Sequence, residues 1–401
     1  MKKRTKVISL VLVLALCVGL ASTLLSLLAF NVSGIGDTKI LKENKEMRLW
    51  YDEPAPITAT ENSPNASSEY GGSDEGWAEW SLPIGNGYFG ANVFGRTETE
   101  RVQISEKTLV NNFGDSTGQK LVGGLNSFSE TYIDFGHTDV SDYTRYLDMK
   151  TAISGVEYVS GGVKYTREYF VSYPDKAIVI RLDSDTDGAL SFTLRPTVPH
   201  KQDYRVTPGD GGSKTGAVDS YVENGVGTVE LYGQMGIYQV DFLGLYKVYT
   251  NGGTVSASTA ENTYKDSAGV YHTDTNGTIV VDGAKSAYIV ITLGTDYELS
   301  SDMFTAANSQ KPTTKTTLED TRIKVEAEMA VIEEKLGKLS FDDGYELLRS
   351  AHISDHGELF GRVTVDLGCK ESDFDITTDI LLENYKSGNQ STYLEIGRAH
   401  V

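Results

Sequence analysis

The chain has 401 residues, with 36 Lys and Arg against 56 Asp and Glu, for a formal net charge of −20. Such acidity excludes a nucleic-acid binder, which needs a basic face to displace counterions, while 39% hydrophobic and 10% aromatic content excludes a disordered chain. The 41 glycines and 23 tyrosines lean toward turns and pleated aromatic strands, and Cys17 and Cys369 offer no disulfide framework.

The N-terminus reads as an export signal. Lys2, Lys3, Arg4 and Lys6 precede an apolar run from Val7 to Phe30, the order of a secretory leader. That run is also long enough to span a bilayer. Residues 1–34 are therefore expected to be a cleaved signal peptide or a membrane anchor, with the remainder extracellular or at the cell surface. A polar tether follows at 35–46.

From 47 to 310 the pattern is β. Gly155–Val159 and Val163–Tyr169 flank Ser160-Gly161-Gly162 and predict a hairpin. Ala177–Leu182 and Leu190–Leu194 predict a second one. Leu82 to Gly87 predicts a tight turn feeding a strand at Tyr88–Phe94. Gly236–Tyr249 and Ala287–Leu293 predict further strands, Asn251-Gly252-Gly253 and Asn276-Gly277 predict turns, and Gly209–Gly216 predicts a loop. Many antiparallel strands with little helix imply a mainly β fold, a large sandwich.

At 311–375 the texture becomes a helical linker with a short strand. Thr317–Leu336 predicts a helix with Glu319 and Asp320 in its first turn, Gly337 as its stop, and Ile323, Ala327, Ala330 and Val331 as its apolar stripe. A second helix is expected over Asp343–Leu359, with Asp342 as N-cap and Leu347, Leu348, Ala351 and Leu359 as packing residues. Arg362–Leu367 predicts the strand, and Thr378–Tyr385 opens a further helix within 376–395. The closing Ile396-Gly397-Arg398-Ala399-His400-Val401 matches one reading frame of a sequencing-library adapter, so 396–401 is expected to be a non-native tail.

Local chemistry is sparse. Asp183-x-Asp185-x-Asp187-Gly188 has the opening of a calcium loop, but the twelfth position is Leu194 and a strand follows, so a polar hairpin turn is expected. His352 and His356 share a helix face without the intervening Glu of a zinc hydrolase, which points to capping or interdomain packing. Trp77 and Trp80, with Tyr70 and Tyr88, are the candidate sugar-facing platform, or else aromatics packed in the core or between domains. Neighbouring Asp74 and Glu75 suggest a solvated loop, and Asn65 and Asn276 head glycosylation sequons. Neither a phosphate loop nor a Ser/His/Asp set stands out.

Several ordered segments resemble glycoside hydrolase family 95, the α-L-fucosidases and related α-L-galactosidases. They are Leu49-Trp50-Tyr51; Leu82-Pro83-Ile84-Gly85-Asn86-Gly87-Tyr88-Phe89-Gly90-Ala91; Arg101 to Leu109; Tyr165 to Asp175; Asp282-Gly283-Ala284 with Thr295-Asp296-Tyr297; and His352 to Gly368. Glu383-Asn384-Tyr385 and Tyr393-Leu394-Glu395 extend the likeness. Ser105 stands where Asn is usual, and Val110 where Trp is usual. The resemblance implies an N-terminal β super-sandwich, a helical linker and an (α/α)6 barrel, of which 376–395 would be the start. It implies hydrolysis of terminal fucose with inversion, one carboxylic acid protonating the leaving oxygen while an activated water attacks. In that family these groups lie in the barrel, so no catalytic, cofactor-binding or metal-binding residue is assigned here. The implied partner is a fucosylated oligosaccharide or glycan. The alternative is a stand-alone carbohydrate-binding or cell-surface β-sandwich module; a related helical-barrel hydrolase or phosphorylase comes third.

Overall fold

The chain divides into two compact units, Met1–Glu46 and Met47–Val401. The structure, a computed structural model, describes residues 47–57, 74–110, 113–114, 120–121, 125–199, 201, 214–235, 240–265, 270–297, 317–364 and 371–388, all in the second unit. The expected leader, tether and tail, with Tyr70, Asn65 and the segment after Gly388, lie outside the described residues.

The strands begin with β1 (Arg48–Tyr51), β2 (Leu82–Gly85), β3 (Phe89–Val93), β4 (Thr99–Val110), β5 (Phe113–Gly114) and β6 (Lys120–Leu121). Next come β7 (Leu125–Asp134), β8 (Val140–Asp148), β9 (Ile153–Ser160), β10 (Val163–Ser172), β11 (Ala177–Ser184) and β12 (Leu190–Thr197). Then follow β13 (Lys214–Glu223), β14 (Val226–Met235), β15 (Asp241–Asn251), β16 (Thr254–Lys265), β17 (Tyr271–Ala284) and β18 (Ser286–Thr295). The helices α1 (Leu318–Leu336), α2 (Phe341–Phe360) and α3 (Thr378–Lys386) close the described chain.

Nine strands form one antiparallel sheet in the order β1-β8-β9-β10-β11-β18-β15-β14-β13, and seven form another in the order β16-β17-β12-β7-β4-β3-β2. The fold is mainly β, a sandwich followed by helices. The nine-stranded sheet is the middle of three layers. On β18, Ala287, Ile289, Ile291 and Leu293 enter the core between the sheets, whereas Tyr288 and Val290 enter a second core beneath α1 and α2. All ten β18 positions are buried, because a strand covered on both faces has no polar side to show. Strand β11 divides the same way, Ile178, Ile180 and Leu182 inward and Ala177 and Val179 toward the helices.

The first predicted hairpin forms. β9 and β10 pair from Ser160↔Val163, with Gly161 and Gly162 at φ 59° and 80°, the left-handed pair that a tight hairpin turn requires. The second does not: β11 pairs with β10 and β18, while β12 pairs with β7 and β17 in the other sheet. The aspartate-rich link is a crossing between layers. Asn276-Gly277 is not a turn either, since it lies inside β17 opposite Thr259 and Ala260. A Cβ on Gly277 would sit 2.5 Å from the Asp219 carbonyl carbon and the Ser220 nitrogen, so glycine is there to let the β13 backbone pass. Asn276 is itself buried, which withdraws that sequon from glycosylation. Lys214 to Gly216 belongs to β13 rather than to a loop.

Helix α1 begins one residue later than predicted because Thr317 is its N-cap, in a reciprocal capping box with Asp320. Its buried face is Thr321, Val325, Met329, Ile332 and Leu336. The stripe named from sequence is wrong: Ile323 and Val331 are exposed, as are Ala327 and Ala330. The N-cap of α2 is Ser340, whose hydroxyl accepts from the Asp343 N–H, rather than Asp342. Tyr345, Leu348 and His352 are its buried side chains, while Leu347 and Leu359 face outward. Arg362–Val363–Thr364 forms no strand, and 365–367 lies outside the described residues.

Candidate functional site

The candidate site is a cleft of roughly 420 Å³ where the β2–β3 turn, β4, the β10–β11 turn, the end of β18 and α1 converge. That size suits a small organic ligand, for which pockets span about 300–1,000 Å³. Local chemistry sets each wall.

Asn86 organises the β2–β3 turn. Its Oδ1 accepts from the N–H groups of Tyr88 and Phe89, both at 2.9 Å, and its Nδ2 donates to the Ser172 carbonyl at 3.0 Å. One side chain thus sets the turn and ties it to the other sheet. Gly87 takes φ 83°, which a side-chain-bearing residue rarely tolerates. Tyr88 then projects into the cleft, its ring 6.0 Å from Tyr173 on the β10–β11 turn, with the Lys107 ammonium 3.5 Å over its centroid.

The floor is polar. The Glu106 carboxylate accepts from Thr108 N at 2.7 Å and from Thr108 Oγ1 at 2.6 Å, and Thr108 Oγ1 meets Thr295 Oγ1. Tyr297 N donates to Thr295 Oγ1 at 3.2 Å. Burial pushes the Glu106 carboxyl above its ordinary range, partly offset by the Thr108 hydrogen bonds. From the helix side come Lys324 and Glu328, the latter 3.4 Å from the Lys176 ammonium. Gly294 lets α1 approach, since a Cβ there would stand only 3.2 Å from Val325.

Of the four candidate aromatics, the three among the described residues lie apart. Trp77 sits on a single π-helical turn, Gly76–Trp80, and its Nε1 donates to Gln103 Oε1 at 3.0 Å. Trp80 packs against the inter-sheet core, 6.0 Å from Tyr51. Only Tyr88 lines the cleft. Asp74 is no solvated loop residue: its carboxylate accepts from Trp77 N at 3.1 Å and pairs with Arg101 at 2.6 Å.

Other motifs resolve into structural contacts. Asp183 grips Arg181 through two hydrogen bonds, both 2.7 Å, Asp185 accepts from Lys164 N, and Asp187 pairs with Lys285. Three carboxylates with three different partners do not converge on one ion. His352 and His356 donate from Nε2 to the carbonyls of Ala152 and Met149 at 3.3 and 2.8 Å. They fasten α2 to the β8–β9 turn, and burial holds His352 below the usual imidazole range.

Sequence reasoning did not single out Glu106, Thr108, Tyr173, Thr295, Lys324 or Glu328 as cleft residues. One signal was present. Tyr88, Glu106, Thr108, Tyr173 and Thr295 come from four separated segments that carried the family resemblance, and the fold brings those segments to one cleft.

Residues 49–120 and 111–300 match the family model described as "Glycosyl hydrolase family 65, N-terminal domain". "Alpha-L-fucosidase 2" of Arabidopsis thaliana is 27% identical over 163 residues, covering 31% of this chain and 19% of that protein. "Probable alpha-fucosidase A" of Aspergillus niger is 26% identical over 268 residues, 66% of this chain and 28% of that protein. Its namesake in Aspergillus oryzae is 34% identical over 120 residues, 28% of this chain and 16% of that protein. The matched part of the chain therefore spans less than a third of the length of each of these curated relatives.

Proposed function

The chain belongs to the family of glycosyl hydrolase family 65 N-terminal domains, and from that premise we propose that it is the N-terminal portion of an exported, inverting α-L-fucosidase-like glycoside hydrolase. The whole enzyme would remove terminal fucose from oligosaccharides or glycans. The observation carrying this reading is that the curated relatives bear fucosidase names and share with this chain only a minor part of their length.

The division of labour follows from the resemblance to family 95. Catalysis by inversion needs two carboxyl groups far enough apart to admit a water, about 6.5–9.5 Å, and that family keeps them in its helical barrel. The β portion would then supply a wall and a docking face, and the present chain alone would release no fucose. Release of fucose from a fucosyl-oligosaccharide by the purified 401-residue chain would overturn that statement. Re-sequencing the source DNA beyond the codon for Glu395 tests the larger reading: the frame should run on into a helical barrel, and any other continuation removes the fucosidase assignment.

Export is part of the proposal. It rests on Lys2, Lys3, Arg4 and Lys6 ahead of the apolar run Val7–Phe30. Mass spectrometry of the mature N-terminus distinguishes a cut near residue 34 from a retained anchor; an intact leader on a protein free in the cytoplasm would sink it.

A further inference from the structure

The cleft has a charge character opposite to that of the chain. In a protein of net charge −20, three lysines, Lys107, Lys176 and Lys324, line one cavity. Its two carboxylates are already engaged, Glu328 with Lys176 and Glu106 with the Thr108 N–H and hydroxyl. Lys107 and Lys324 are the two cleft lysines outside that pair, and the Lys324 charge also acts on the Glu106 carboxyl. Lys107 is nevertheless held in place, its ammonium 3.5 Å over the Tyr88 ring centroid, a cation–π contact that fixes where its charge stands.

Aromatic surface lies beside that charge. Tyr173 is 52% exposed and Tyr88 44% exposed, although both border the cavity. Lys107 covers a face of Tyr88, which leaves Tyr173 as the open platform. Pyranose rings present C–H faces to such rings and hydroxyls to the groups around them.

We propose that this cleft binds an acidic saccharide, with a pyranose ring against Tyr173 and its carboxylate or sulfate taken by Lys107 and Lys324. The proposal rests on the carbohydrate-active reading above. Charge-assisted hydrogen bonds from two ammonium groups would supply selectivity for the anionic unit, and the tyrosine would supply sequence-tolerant stacking.

Calorimetric titration of the whole chain tests it, with digalacturonate, a sulfated galactose, neutral digalactose and inorganic phosphate as separate probes. Saturable binding of digalacturonate or the sulfated sugar is expected, weakening as NaCl rises from about 20 to about 200 mM. Which of those two binds tells carboxylate from sulfate recognition. Lys324→Met should weaken the charged sugar about tenfold while leaving any neutral binding unchanged, and Tyr173→Ala should weaken both sugars. Both positions are exposed, and matching circular dichroism would certify the fold. Equal affinity for digalactose, equal affinity for phosphate, no saturable binding, or binding indifferent to both variants would each overturn the proposal. A negative result leaves the fucosidase reading intact, because that reading is decided by the DNA beyond Glu395.

Discussion

Glu168 is the most informative place to perturb the join between sheet and helices. Strand alternation on β10 turns Arg167 and Tyr169 toward the inter-sheet core and Glu168 and Phe170 toward α2. There the Glu168 carboxylate accepts from Tyr345 Oη, and from Arg349 Nε and Nη2 at 2.9 and 3.2 Å. Its side chain is only 9% exposed, against 20% for Arg349. Glu168→Gln removes the charge and points an amide donor at two groups that already donate. Breaking a buried pair from one side costs about 3–5 kcal/mol. Because water reaches part of Arg349, the lower end, about 3 kcal/mol, is expected. Arg349→Met should cost a similar amount, since it leaves a buried carboxylate with the Tyr345 hydroxyl alone. The double variant should lose clearly less than the sum, with a coupling of about 2 kcal/mol. Equilibrium urea denaturation of the four proteins measures this directly. A coupling below about 0.5 kcal/mol would mean that the two side chains act independently and that the contact does not dock α2.

The close passage of β13 across β17 is tested by Gly277→Ala, expected to lose about 1–3 kcal/mol to overpacking. Gly90→Ala, whose new Cβ would meet only the Ile84 carbonyl at 3.6 Å, should be neutral or gain up to about 1 kcal/mol; equal stability of the two variants would refute the crossing. Burial holds His352 below its ordinary value, opposed in part by its hydrogen bonding to the backbone of Ala152 and Thr151. Its folded-state contribution is therefore complete above the unfolded value of about 6.5 and is lost as pH falls below it. Denaturation midpoints taken from pH 7.5 to 5 should decline, and His352→Gln should flatten that decline; an unchanged slope would count against it. Thr317→Ala opens the capping box of α1 and should cost about 1 kcal/mol by the same denaturation assay, with no change if the helix start is frayed in solution.

Much of the strand content was legible in the sequence. Alternation, aromatic richness and the Gly161-Gly162 pair leave little choice but a β9–β10 hairpin. The sheet that each strand joins was not legible. The link after β11 and the one after β15 carry the same turn residues as a hairpin, yet both move the chain between layers, and nothing local encodes that. In α1 two apolar stripes compete, and the one containing Ile323 and Val331 lost to Val325, Met329 and Ile332, because only the latter set aligns with the strand residues Leu243 and Val290. The cleft was half legible. Tyr88 could be named from sequence, but no spacing rule joins residues 88, 106, 173, 295 and 324, which meet only once both sheets and α1 are in place.

The position of β18 has a consequence for how the protein is made. It is the last strand of the described chain, yet it lies inside the nine-stranded sheet, between β11 and β15. Until residues 286–295 have left the ribosome, β11 and β15 lack the strand that each pairs with on that side in the finished sheet. Such edges recruit strands from other chains, and pairings between segments far apart in sequence form slowly. Synthesis of this domain therefore passes through its most aggregation-prone stage just before β18 emerges, and a ribosome pause or a destabilising substitution in that strand would prolong it.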